Sequence, residues 1–180
     1  MATVRPRVMA MPARDAARSG AVVTEDVALC EDDVITKILS YIPDAEADKA
    51  QLAYADIVVA GGRGLGKPEN FRLVRELAEV LGAEYGGSRP VAQAGWVSGE
   101  RQIGQTGKTI RPRLYIAAGI SGAIQHRGGG EGADVIIAIN TDPKAPIFEF
   151  ATYAIVGDAL QILPALTEAL RERIGHAVAA

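Results

Sequence analysis

The chain has 180 residues, 48% of them hydrophobic and 23% charged, with a net charge of −3. That suits one folded domain with a full core, or a domain plus an arm, and excludes a disordered chain. It also lacks the basic excess of a nucleic-acid binder. One cysteine, Cys30, can form no internal disulfide, which points to a reducing compartment.

In chain order, residues 1 to about 20 read as an arm of Pro, Arg and small residues without a period. "MATVRPRVMAMPARDAARSG" has no apolar core of a secretory signal, and Asp15, Pro6 and Pro12 argue against an amphipathic transit helix. "AVVTEDVAL" (21–29) is predicted as a short strand. "EDDVITKILSYI" (31–42) places Val34, Ile35, Ile38, Leu39 and Ile42 on one helical stripe, ended by Pro43. "DIVVAGG" (56–62) is a buried strand running into glycines. "PENFRLVRELAEVLG" (68–82) is an amphipathic helix opened by Pro68 and closed by Gly82. "AEYGGS" (83–88) is a short extended segment, and "PVAQAG" (90–95) at most a short helix. "LYIAAG" (114–119) and "DVIIAIN" (134–140) are two more buried strands. "DALQILPALTEALRERIG" (158–175) is a closing helix with Asp158 as N-cap and a possible kink at Pro164.

Near-continuous apolar strands suit parallel pairing with both faces covered. Their alternation with helices predicts an α/β fold: a doubly wound, mostly parallel sheet with helices on both faces. Residues 1–50 read as an arm and connecting segment, and 51–180 as the nucleotide-binding domain. In such sheets ligands sit beyond the carboxyl ends of the strands. Those ends are Gly61–Gly66, Gly86–Arg89, Gly119–Gly122 and Asn140. No run approaches the roughly 20 apolar residues of a membrane span.

Several familiar motifs fail on inspection. "GGRGLGKP" (61–68) has the glycine spacing of a phosphate loop, but Pro68 stands where Ser or Thr would hold magnesium. "GQTGKT" (104–109) has the tail, but Gln102 replaces the first glycine. No G-x-G-x-x-G follows a strand, so the fold is Rossmann-like without that fingerprint. "GISGA" (119–123) is not the G-x-S-x-G elbow of a hydrolase. Two histidines and one cysteine without ligand spacing make a metal site unexpected. "GISGAIQH" (119–126) can instead turn tightly and present backbone N–H groups to a phosphate. An N-capped helix with a surface histidine fits the same spacing equally well.

Longer blocks carry more information. "GGRGLG" (61–66), "SRPV" (88–91), "AGW" (94–96), "QIGQTGKTIRPRLYIAAGISGAIQH" (102–126), "AINTDPKAPIF" (138–148) and "YAIVGDALQILPALTEAL" (153–170) resemble the C-terminal, FAD-binding domain of the electron transfer flavoprotein α subunit. The resemblance covers about two thirds of the chain. "MATVRPRV" (1–8) and "EDDVITKILSYIPD" resemble the end of the preceding domain and its connecting segment. The chain therefore resembles the α subunit without its N-terminal domain.

The resemblance implies FAD as cofactor, bound extended across the strand ends. It implies contacts from Arg63 in the first glycine loop, from Ser88 on the adenosine-phosphate side, and from Arg89 against the flavin ring. Ile103, Gly104, Gln105 and Thr106 match the loop along the flavin edge. Ser121, Gly122, Ala123, Ile124 and Gln125 match the helix start under the diphosphate, and His126 the partner of flavin O2. Asn140, Asp158 and Ala159 match contacts to the adenosine half. Arg89 and a protonated His126 would favour the negative charge of reduced flavin. No residue is expected to act as a catalytic acid or base. The implied partners are a β subunit, dehydrogenases as donors, and a quinone-reducing or other acceptor oxidoreductase, with neither nucleic acid nor membrane insertion. The implied place is the cytoplasm, or the mitochondrial matrix in a eukaryote. The alternatives are a nucleotide-dependent enzyme domain of the same fold family and a truncated, flavin-free binding module. Gln93 and "HRGGGEGAD" (126–134) depart from the family pattern. "SRPV" and "AGW" look closer to the anaerobic, bifurcating or nitrogen-fixation-linked branch.

Overall fold

The computed structural model describes residues 3, 9, 12–26, 30, 36–37, 39–40 and 51–178, with the backbone alone for 175–178. Five strands form one wholly parallel sheet: β1 (Ile57–Gly61), β2 (Glu84–Gly87), β3 (Leu114–Ala118), β4 (Val135–Asn140) and β5 (Tyr153–Val156). Their order in space is β2-β1-β3-β4-β5. The helices are α1 (Arg72–Leu81), α2 (Arg89–Gln93), α3 (Ile124–Gly130) and α4 (Ala159–Val178). The fold is α/β, as the alternating pattern predicts.

Period-2 alternation sorts the strand residues between two cores. Val59, Ile116, Ala118 and Ile139 pack on α1 and α4 through Leu73, Val74, Leu77, Ala159 and Leu163. Val58, Ala60, Tyr115, Ala117, Ile136 and Ala138 face the other way, where Leu52, Ile103, Ile110 and Ile147 cover them. That second face is covered mostly by turns and by the short α3. Pro68 opens a 3₁₀ turn, Pro68–Phe71, ahead of α1. Asp158 caps α4: its Oδ1 accepts the Leu160 N–H at 2.9 Å. Pro164 lies inside that helix.

Three expectations need correction or qualification. Strand β5 was not expected, because all four of its residues are exposed at the sheet edge and make no buried apolar run. The strand expected over 21–29 is absent from its described part, residues 21–26, which are exposed and meet no partner strand; residues 27–29 lie outside the described residues. Of the helix expected over 31–42, Thr36, Lys37, Leu39 and Ser40 are described and are not helical. Leu39 is 95% exposed, so its place on the apolar stripe buries nothing. The rest of that segment lies outside the described residues. Among the described residues no helix is long and apolar enough to cross a membrane.

Helix α3 ends in Gly128, Gly129 and Gly130, an unfavourable composition for a helix. A Cβ on Gly128 would meet nothing within 4 Å, whereas one on Gly129 would lie 2.4 Å from the Gly104 backbone. Gly128→Ala should therefore stabilise the chain by about 0.5–1 kcal/mol through helix propensity. Gly129→Ala should destabilise it by about 1–3 kcal/mol, the range of an overpacked core. Urea midpoints of the two variants would move in opposite directions; shifts of the same sign would contradict this packing of α3.

Candidate functional site

The strand order reverses between β1 and β3: from β1 the chain adds β2 on one side, and from β3 it adds β4 and β5 on the other. A crevice is expected beyond the carboxyl ends of strands at such a switch point. A cleft of about 550 Å³ lies there, lined from the loops after β1, β2, β3 and β4. Its size falls within the range of small-molecule sites.

Two glycine loops build its floor. Gly62 N–H donates to the Ala118 carbonyl at 2.9 Å, and Gly64 N–H to the Gly119 carbonyl at 2.9 Å. A Cβ on Gly62 would lie 2.2 Å from the Gly119 oxygen, so only glycine permits this approach. Gly122 takes φ +81° and packs on the turn at Ile147, whose N–H donates to the Ser121 carbonyl at 2.9 Å. From there α3 begins with no side-chain cap, leaving its first backbone N–H groups for a ligand or water.

A third wall is the loop 102–108. Lys108 N–H donates to the Gln102 carbonyl and Gly104 N–H to the Lys108 carbonyl, closing a tight turn. Gln105 N–H donates to the Gln125 carbonyl at 2.7 Å, and Ile110 N–H to the Gly129 carbonyl at 2.8 Å. These bonds tie the loop to α3. Gln102 Nε2 donates to Thr106 Oγ1 at 3.0 Å.

Charge at the cleft has one sign. Among the described residues Arg63 and Arg89 line it, and no aspartate or glutamate does. Both arginines are exposed, and among the described residues neither makes an ion pair. Carboxylates that could have paired with Arg89 are engaged elsewhere: Glu84 with Arg101 at 2.8 Å, and Glu100 with Lys108.

His126 sits in the first turns of α3, buried to 7% exposure. Its Nε2 lies 2.7 Å from the Tyr115 hydroxyl. Its Nδ1 is buried and finds no partner at hydrogen-bond geometry. Burial pushes the imidazole down to about 4, against a weaker upward pull from the Ile103 backbone. With no anion beside it the ring is held neutral at pH 7, because its charge would be desolvated; the protonated His126 implied by the resemblance concerns a ring beside reduced flavin.

The structure brings eleven of the expected residues to this cleft: Arg63, Ser88, Arg89, Ile103, Gly104, Thr106, Ser121, Ala123, Gln125, His126 and Asn140. It does not bring Gln105, Gly122, Ile124, Asp158 or Ala159 to the wall. Gly122 lies behind it on Ile147, Ile124 is 76% exposed on the outer side, and Ala159 belongs to the α4 core. Asn140 has both ends of its amide engaged, donating to the Ile120 carbonyl at 2.9 Å and accepting from Asp142 N–H at 3.0 Å. It braces the loop after β3. Gly64, Pro90, Gln102, Gly119 and Ile120 also line the cleft. Gly64, Gly119 and Ile120 fall within the strand ends picked out by the sequence; nothing local singled out Gln102. No group of three or more metal-ligating side chains occurs among the described residues.

Comparison with known proteins converges on one family. Residues 51–131 match the family described as the electron transfer flavoprotein FAD-binding domain. The chain is 68% identical over 174 residues to Protein FixB of Bradyrhizobium diazoefficiens, covering 97% of this chain and 47% of that protein. It is 50% identical to the electron transfer flavoprotein subunit alpha of Thermoanaerobacterium thermosaccharolyticum, over 96% of this chain and 52% of that one. The corresponding subunit of Bacillus subtilis is 45% identical, over 95% of this chain and 52% of its own. The chain spans about half the length of the curated relatives it matches.

The buried His126 makes stability depend on pH. Its pKa falls from an ordinary 6.5 in the unfolded chain to about 4 in the fold. Below pH 6.5 the unfolded chain takes up a proton that the folded one refuses. The stabilisation is therefore complete above pH 6.5 and lost as pH falls towards 4, by about 3 kcal/mol. Chemical denaturation of wild type and His126→Gln across this window should show a steeper acid loss in wild type. Parallel profiles would show that His126 is not buried as a neutral ring.

Proposed function

The chain belongs to the electron transfer flavoprotein α family, in the region of its FAD-binding domain, and we propose that it binds FAD in the strand-end cleft to carry electrons. The observation that carries this reading is the lining itself: two unpaired arginines, no carboxylate, and backbone N–H groups at glycine turns. This combination suits a diphosphate. The cofactor also passes a test of fit. The glycine floor lets a ligand lie against bare backbone, and Arg63 and Arg89 beside it supply positive charge for its phosphates.

On this reading residues 51–180 are the cofactor domain and residues 1–50 an arm leading to it. Arg63, Ser88 and residues 121–125 hold the phosphates. The 103–106 loop, Arg89 and His126 hold the ring. Asn140 keeps the Gly119–Gly122 loop in place, and the Asp158–Ala159 backbone lies towards the adenosine end. FAD supplies the electron chemistry, while the protein binds and tunes it. Arg89 remains charged at any working pH and favours added negative charge in the cleft. A neutral His126 lines the cleft without bringing a charge of its own. The partners are a β subunit, dehydrogenases that deliver electrons and an oxidoreductase that accepts them; the chain alone is an electron carrier in that assembly.

Two measurements test this function. Isothermal titration should show FAD binding at one site per chain and much weaker binding of FMN, which lacks the adenosine half; equal affinities would sink the reading. With FAD bound, Arg89→Ala should lower the potential for the first electron, and Arg89→Lys should restore part of it. A loss of about 1 kcal/mol of attraction corresponds to about 40 mV for one electron. Spectroelectrochemical titration giving equal first-electron potentials for wild type and Arg89→Ala would show that Arg89 does not tune the flavin.

A further inference from the structure

Among the described residues Arg101 is the one arginine that is buried, at 7% exposure. It ends the 3₁₀ turn Gly99–Arg101, directly ahead of the 102–108 wall of the cleft. Its Nη1 donates to Glu84 Oε2 at 2.8 Å and to the Tyr85 carbonyl at 2.9 Å, and its guanidinium lies 3.8 Å from the Tyr85 ring centroid. All three contacts are with β2. A guanidinium suits this place, because it is always charged, donates in fixed directions and lies flat on an aromatic ring.

Two walls of the cleft leave from this junction. β2 runs through Gly86 and Gly87 into Ser88 and Arg89. Arg101 runs into Gln102, which makes an isolated parallel bridge with Gly87, and Ile103 N–H donates to the Gly87 carbonyl at 2.9 Å. Gly86 lets this second segment approach: a Cβ there would lie 2.7 Å from Ile103 Cδ1 and 3.0 Å from the Arg101 carbonyl. β2 is secured separately, paired with β1 from Glu84 to Gly87. The 102–108 loop has no such ladder; beyond the one bridge, it is the Arg101 side chain that ties its root to β2. Desolvation of the ion pair, and a buried Nε without a partner, offset much of the attraction. The pair therefore adds little net stability, but its directed bonds are met in one register.

We propose that Arg101 is a positioning residue: it clamps the root of the 102–108 loop to β2 and so sets the gap between that wall and the Ser88–Arg89 wall. The identity of the ligand group held across the gap, the flavin ring, rests on the FAD reading above. The clamp itself does not. Without it β2 keeps its place through β1, while the loop, bonded to α3, shifts with that helix. The loss then falls on ligand groups that touch both walls, and spares those on the glycine floor.

The test uses the whole 180-residue chain. Amide hydrogen exchange of the ligand-free protein reports the clamp. In Arg101→Met, which keeps an apolar stem, exchange at Ile103 N–H should rise at least about tenfold, while Gly62 and Gly64 N–H on the floor stay within about twofold of wild type. Equal acceleration at all three would mean that Arg101 serves only overall stability, and no change at Ile103 would overturn the clamp. Calorimetry with FAD and with ADP, which carries the diphosphate but no ring, reports the effect on ligand. Arg101→Met should raise the FAD dissociation constant about five- to twentyfold and that of ADP by less than about twofold. Arg101→Lys should restore part of the FAD affinity, because the charge returns without the flat fork. Unchanged FAD affinity, or equal losses for FAD and ADP, would overturn the proposal. Glu84→Gln leaves the guanidinium an uncharged partner and should show the same pattern to a smaller degree; it decides the matter if Arg101→Met fails to fold. If wild type bound no FAD, the cofactor reading and the ligand half of the proposal would both fall, and the exchange measurement would still decide the clamp.

Discussion

The site depends on a backbone contact. The loops after β1 and β3 close on one another through Gly62 to Ala118 and Gly64 to Gly119, with no room for a side chain between them. Parallel pairing of β1 with β3 aligns Gly61 with Ala118 and so brings the two strand ends level. Two β-carbons at this junction would force the loops apart. With glycines there, Arg63 is carried to one side of the cleft and the start of α3 to the other. The position of His126 follows, because only a short helical start separates it from Gly122.

Electrostatics explains why this crevice suits an anionic ligand. Glu84 and Glu100 are committed to Arg101 and Lys108. Arg101 is itself buried, with its guanidinium 3.8 Å from the Tyr85 ring centroid and a bond to the Tyr85 carbonyl. That network holds its negative charge at the outer edge of the sheet. Arg63 and Arg89 are left to face the cleft unneutralised. His126 adds no charge, since its surroundings are apolar and its main partner is a phenol.

Much of the fold was legible because buried parallel strands announce themselves as apolar runs. "DIVVAGG", "LYIAAG" and "DVIIAIN" each became a central strand, and Gly82 and Asp158 marked helix ends where the structure has them. Tyr153–Val156 carried no such mark, because an edge strand with every residue exposed need not read as core. Residues 21–26 failed in the opposite direction: alternation alone makes no strand when no partner is there to pair with. At the site, glycines at strand ends located the crevice. The charge state of His126 was not legible, because it depends on burial between α3 and the 102–108 loop that spacing does not encode. Asn140 was visible as a polar strand end, but its engagement with Ile120 and Asp142 follows from a loop geometry that spacing does not encode.

Helix α3 brings these strands of argument together. Three glycines in a helix of seven residues give it little stability of its own, since short helices are marginal even with favourable residues. It is held from outside. Arg127 lies over Phe150, Gln105 and Ile110 donate to the Gln125 and Gly129 carbonyls near its two ends, and Gly129 lets the 102–108 loop approach to contact. Tyr115 supplies the remaining tether, from the sheet. Because an alanine at 129 would hold the loop away, Gly129, which weakens the helix, is also what lets the loop lie against it. The loop and the histidine therefore share one mounting, and a ligand touching Thr106 and His126 meets two groups whose separation is set by backbone bonds rather than by side-chain reach.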